Sequence, residues 1–157
     1  MQVSRPRRAF SLVEMLMVIA VLAIMMGIVV PQVSSAVLEA KEATMLSTLR
    51  ELSAAIERYR MEHSGQPPDL FENRGSPQLT SKTNVDGDVG AGSGYIYGPY
   101  VVGAMPLNPL NETSEVFRVN SSPPANLGSR IGWAYHPDTG SIWAGLHVGA
   151  VNTPGGG

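Results

Sequence analysis

The chain has 157 residues with 11 basic and 13 acidic side chains, a formal charge of −2, which leaves room for one domain and argues against a basic clamp on nucleic acid. At 43% hydrophobic and 15% charged residues it is not a disordered acidic tail, and its 17 Gly and 12 Pro point to a loop-rich part. Cysteine is absent, which excludes a disulfide scaffold, a Cys nucleophile and a thiolate metal site.

Residues 1–9 form a short basic leader carrying Arg5, Arg7 and Arg8 and no acid. From Met15 to Leu38 no residue is charged, and Leu16 to Val30 contains nothing more polar than Gly27. Counted from Phe10 to Val30, a helix of about 21 residues rising 1.5 Å each spans roughly 31 Å, the thickness of a bilayer's hydrocarbon core. The run reads as a membrane-crossing helix over 10–33 whose arginines stay cytoplasmic, with the rest of the chain on the far side. A cleaved secretory signal fits less well, because the run is long and helix-forming sequence follows it. A buried core helix fits worse, since a chain this small cannot cover such a helix all round. A plain signal anchor leaves Glu14 unexplained. A lone carboxylate in the apolar stretch costs on the order of 2 to 3 kcal/mol deep in a membrane, so an ionisable group there is a functional candidate. Pro31 removes a backbone donor and crowds the preceding turn, which predicts a kink or a locally melted turn near Ile28 to Pro31, with Gly27 adding freedom.

Over 34–63 the pattern turns amphipathic and the helix continues. Met45, Leu49, Leu52, Ile56 and Tyr59 recur at spacings of four and three, a stripe on one face with Leu38 one heptad before it. Glu39, Lys41, Glu42, Arg50, Glu51, Glu57, Arg58, Arg60 and Glu62 fill the other faces as a solvated surface. Ser64-Gly65 and Pro67-Pro68 stop the helix near His63. One helix over 10–63 would run roughly 80 Å, so its second half must rest on something.

That something is the loop-rich β domain over 64–157. Asn73 to Gly94 holds few large apolar residues and reads as an exposed loop. Tyr95 to Val102 and Glu115 to Val119 are strand candidates. Ile131, Trp133 and Tyr135 alternate with small residues, His136-Pro137-Asp138-Thr139-Gly140 turns, and Ser141 to Ala144 returns, which is a hairpin signal. Val148 to Gly157 ends in glycines and reads as a frayed tail. The economical architecture is α+β, with the long N-terminal helix laying its Met45 to Tyr59 stripe on a small antiparallel sheet.

Little in the chain suggests catalysis. His63, His136 and His147 fit no metal-ligand spacing, and His63 suits a helix C-terminus, where positive charge is favoured. Asn84-Val85-Asp86-Gly87-Asp88 alternates oxygen ligands as a calcium loop does, yet Gly90 is out of phase and no Glu closes it. No Ser-His-Asp set, P-loop or nucleotide fingerprint assembles from the spacing, so the chain reads as a non-enzyme.

The junction from Arg7 to Met17, Arg-Arg-Ala-Phe-Ser-Leu-Val-Glu-Met-Leu-Met, resembles the signal of type IV pilins and pseudopilins. The resemblance implies a pilin-like fold and a membrane-embedded prepilin peptidase that cuts between Ala9 and Phe10 and N-methylates Phe10. Ala9 stands where the family usually has Gly. Glu14 falls on the family's acidic fifth mature position, and Pro31 on its common proline. The new amine at Phe10 and the Glu14 carboxylate are poor lone occupants of an apolar phase and good partners. Within one chain they sit four residues apart on a helix; in the family's account, Glu14 instead meets a neighbouring subunit's amine.

Tyr59 to Pro68, Tyr97-Gly98-Pro99-Tyr100, Pro106-Leu107-Asn108-Pro109 and Gly132-Trp133-Ala134-Tyr135 are similar to segments of the G-type major pseudopilins of type II secretion. That resemblance implies a single-pass inner-membrane protein with a periplasmic C-terminal domain, which self-associates with other pseudopilins on an inner-membrane assembly platform. The product would be a helical periplasmic filament that helps export folded proteins. G-type pseudopilins carry calcium in a C-terminal loop, whereas Asp138 is the one acid after Glu115 here, so no ligand set is recognisable. From Phe10 onward the charge is −5, which disfavours nucleic acid as a partner. Two alternatives stay open: a type IV pilus or DNA-uptake pilin subunit, and, from another class, a monomeric signal-anchored periplasmic binding module that keeps residues 1–9.

Overall fold

The computed structural model describes residues 10–71, 75–121, 124, 127 and 130–145, with the backbone alone at 28–32. Five elements follow in order: α1 (Leu12–Glu62), α2 (Pro77–Thr80), β1 (Val116–Arg118), β2 (Trp133–His136) and β3 (Ser141–Ala144). The chain divides into two compact units, Met1–Glu39 and Ala40–Gly157.

Helix α1 begins just after Ser11. The Ser11 hydroxyl accepts from the Val13 amide at 3.3 Å, meeting one of the amides that a helix leaves unpaired at its start. It ends at Glu62, as the Ser64-Gly65 signal requires. Ser64 takes φ 55° and Gly65 φ 81°, and the Gly65 amide donates to the Arg60 carbonyl at 2.8 Å, the long bond of a Schellman stop. The helix assignment is unbroken through Gly27 and Pro31, so no melted turn interrupts it; the side chains around the expected kink lie outside the described residues.

In the second unit the predicted stripe is the core. Met45, Leu49, Leu52, Ile56 and Tyr59 are all buried, against Leu70, Leu79, Met105, Trp133, Tyr135 and Ile142. Leu38 is 52% exposed, so the stripe starts at Met45. Trp133 and Tyr135 share the core face of the sheet, and their polar ends are met: the Trp133 indole donates to the Pro106 carbonyl and the Tyr135 hydroxyl to the Pro68 carbonyl, both at 2.8 Å.

The hairpin forms as read, with Tyr135 opposite Ile142 and Trp133 opposite Ala144. The sheet as a whole is mixed and not antiparallel, because β1 pairs in parallel with β2, Val116 opposite Trp133 and Arg118 opposite Tyr135. The reason is the connection over 119–132, long enough for the crossover that parallel strands need. Strand β2 is therefore central, and Trp133, Ala134 and Tyr135 are all buried.

Two further expectations are corrected. Tyr95 to Val102 forms no strand; Tyr97 alone bridges to Thr83. Gly98 takes φ 69° and Pro99 has no amide to donate, so a ladder cannot propagate. The stretch read as an exposed loop instead contributes α2 and buries Ser76, Leu79 and Thr83. Leu79 is a single apolar residue among polar ones, which is why no period announced it; its carbonyl accepts from the amides of Tyr100 and Val101. Asn73, His147 and the Val148 to Gly157 tail lie outside the described residues.

Candidate functional site

The first half of α1 carries the sequence's candidate site. Phe10 is 74% exposed and directly precedes the Ser11 cap. Glu14, also exposed, stands in the first turn at the third helical position, where a carboxylate faces the positive end of the helix dipole. Ser11-Leu12-Val13-Glu14 thus has the spacing of a capping box, a local role for Glu14 that comes from its position on α1. From Phe10 to Met26 every large apolar side chain is at least half exposed, on all faces of the helix. A helix apolar all round is made to be surrounded by lipid or by other protein.

Of the other predicted residues, Arg5, Arg7, Arg8 and Ala9 lie outside the described residues, as does the side chain of Pro31. Among the described residues no helix is long and apolar enough to cross a membrane. The described side chains of the apolar run end at Gly27, short of the roughly 20 residues that a crossing takes.

Residues 4–30 match the prokaryotic N-terminal methylation motif. The methylation motif covers the basic leader, the Ala9-Phe10 junction, Glu14 and the apolar run up to Val30, and it supports a pilin-like, peptidase-processed subunit built to assemble into filaments. No curated protein and no solved structure matches the chain. The α+β architecture of one long N-terminal helix followed by a small sheet is consistent with a pilin-like fold.

The second unit holds a polar cluster at the end of α1 that the sequence did not single out. His63 is 3% exposed and stacks on Tyr59, ring centroids 3.8 Å apart and planes 8° from parallel. Tyr97 and Tyr100 meet the His63 ring edge to face. The Tyr100 hydroxyl donates to Glu62. Burial, with the charges of Asp69 and Asp88 behind it, pushes the Tyr59 phenol up to about 12. Burial, and then the hydrogen bond to the Glu62 carboxylate, raises Tyr100. Only the positive-charge preference of a helix C-terminus hinted at His63; its partners Thr83 and Asn84 are some twenty residues away and invisible to local spacing.

The loop considered for calcium closes on itself. Asn84 Oδ1 accepts from the amides of Asp86 and Asp88, and its Nδ2 donates to Asp88 Oδ2 at 3.0 Å. Among the described residues no three His, Asp or Glu side chains gather as metal ligands.

Proposed function

We propose that the chain is a structural subunit of a type II secretion pseudopilus. A prepilin peptidase cuts between Ala9 and Phe10 and methylates Phe10. The mature subunit waits in the inner membrane on its 10–33 helix, with 34–63 continuing that helix and the 64–157 domain in the periplasm. On the assembly platform it joins other pseudopilins, and the apolar helices pack together in the core of a periplasmic filament that helps export folded proteins. Such a head-to-tail contact does not close on itself, so it propagates. Glu14 of one subunit meets the Phe10 amine of the next and sets register, and Pro31 is the point at which the helix bends.

One observation carries this reading: α1 leaves its large apolar side chains uncovered on every face from Phe10 to Met26, and that same stretch lies in the methylation motif. The G-type likeness of the Tyr59 to Pro68 and Gly132 to Tyr135 segments supports the choice of pseudopilus. The first test is mass spectrometry of the amino-terminal peptide from protein made in its own cells. A chain that begins at methylated Phe10 is the expected result, and an intact 1–9 leader would reduce the protein to an anchored module. Deleting its gene then separates the filaments, since a pseudopilus subunit is needed for protein export, whereas a pilus or DNA-uptake subunit is needed for surface fibres or transformation.

A further inference from the structure

Two surface features of the second unit are apolar where water would favour polar side chains. The first is an open cleft of about 500 Å³ between α1 and the 100–106 segment, walled by Ala54, Ala55, Val101, Val102 and Ala104. Val102 is 92% exposed, the barest large apolar side chain among the described residues. Glu51 and Arg58 also line the cleft. They stand seven residues apart on α1, about 10.5 Å along its axis, so the cleft has an acid toward one end and a base toward the other.

The second feature is a tight hairpin over 82–90. Thr83 bridges Val89, the Asn84 amide donates to the Asp88 carbonyl at 3.0 Å, and the Gly90 amide donates to the Lys82 carbonyl at 3.2 Å. Turns favour polar residues and glycine, yet this one carries Val85 and Val89, 57% and 42% exposed, on either side of the exposed Asp86. The turn is also fixed in advance. Asn84 Oδ1 accepts from the Asp86 and Asp88 amides, and Gln78 Nε2 donates to the Gly87 carbonyl at 2.9 Å. A Cβ on Gly87 would lie 2.5 Å from the Tyr59 hydroxyl, so the turn rests directly on Tyr59. A knob held this way loses little freedom when it docks.

We propose that the cleft receives the 82–90 hairpin of a second copy of this chain. The proposal rests on the filament reading above and names a contact between the domains that the apolar helices carry. Complementarity points to a second copy as the occupant. Val85 and Val89 offer apolar surface to the wall at Val102, Asp86 meets Arg58, and Lys82 at the base of the hairpin meets Glu51. Neither Asp86 nor Arg58 has a side-chain hydrogen bond or ion pair among the described residues, whereas the Asp88 carboxylate already accepts from Asn84.

The cleft and the hairpin share no residue. One copy can therefore lend its hairpin to one neighbour and receive that of another, and the contact propagates. A stable interface between free proteins buries roughly 1,000 Å² or more, which one hairpin in one cleft does not reach. The contact thus joins copies only where their apolar helices have already gathered them.

The test uses the full-length chain, whose lack of cysteine makes introduced thiols unambiguous. Val85→Cys and Val102→Cys are produced as separate chains in the same cells, and filaments are collected and mildly oxidised. A disulfide forms only when the two Cα atoms come within about 7 Å. A linked dimer is expected from the two variants together and none from either alone. Charge exchange is the second measurement: Arg58→Asp should lose most filaments, and Arg58→Asp combined with Asp86→Arg should recover them, which simple damage to the fold would not allow. Filaments that form without the linked dimer, undiminished filaments from Arg58→Asp, or no recovery in the exchanged pair overturn the contact and leave the filament reading standing. If the cysteine variants do not assemble, the charge exchange decides. If the unaltered chain forms no filament, the reading beneath fails and the contact falls with it.

Discussion

Asn108 is fully buried and ties three segments together through one side chain. Its amide donates to the carbonyls of Gly132 and Gly145, at 3.0 Å each, and its Oδ1 accepts from the Leu110 amide. Asn108→Asp would turn a donor toward two carbonyls into an ionised acceptor, with an expected loss on the order of 3 kcal/mol or more; urea unfolding at neutral pH measures it. Tyr59 makes a pH prediction of known sign. Folded, its phenol holds its proton to about pH 12, against 10.0 for an ordinary tyrosine. That contribution is complete below pH 10 and drains away as pH climbs toward 12, so unfolding midpoints should drop across that window and less so in Tyr59→Phe. At Glu14 the capping-box position and the intersubunit reading make different demands. If register is its task, Glu14→Ala leaves membrane retention intact and lowers filament yield, and Glu14→Gln, which keeps a capping side chain, lowers it as well; normal yield from Glu14→Gln would leave Glu14 a capping role alone.

Among the elements, α1 was the most legible in the sequence and the region after it the least. The five-residue stripe from Met45 to Tyr59 could be read because a 3.6-residue period repeats within one element and its partner face needs no naming. Ile56, fully buried in that stripe, should cost about 2 to 5 kcal/mol when cut to Ala, read as a shift in denaturant midpoint without a change of slope. The His136 to Gly140 turn was legible for a similar reason, since turn residues act locally. Strand direction was not. Parallel pairing of β1 with β2 depends on what 119–132 does between them, and nothing in Glu115 to Val119 marks its orientation. The close approach of β1 was equally hidden: a Cβ on Gly132 would sit 2.6 Å from the Thr113 carbonyl oxygen and 2.9 Å from that of Glu115, so Gly132→Ala should push β1 off β2 at a cost of about 1 to 3 kcal/mol. Loss of Trp133 burial, seen as a red shift of tryptophan fluorescence, would accompany it. In the candidate site the uncovered apolar run from Phe10 to Met26 was legible, because its residues are contiguous in sequence. The His63 cluster is assembled from residues 59 to 100 and exists only in the fold.

At the scale of the molecule, the core is made by partners far apart in the chain. The stripe on α1 is laid down early, and the side chains that cover it, Trp133, Tyr135 and Ile142, come from the hairpin near the other end. Tyr135 closes onto Pro68 across 67 residues. A ribosome adds roughly 5 to 20 residues per second, so the stripe lacks its covering side chain Ile142 for roughly 4 to 17 seconds after Tyr59 is added. During that interval the chain carries two incompletely covered apolar surfaces, the run up to Met26 and the stripe from Met45. A message cut short before Trp133 makes a product whose stripe never closes, and apolar surface left open in that way exposes truncated copies to aggregation and proteolysis.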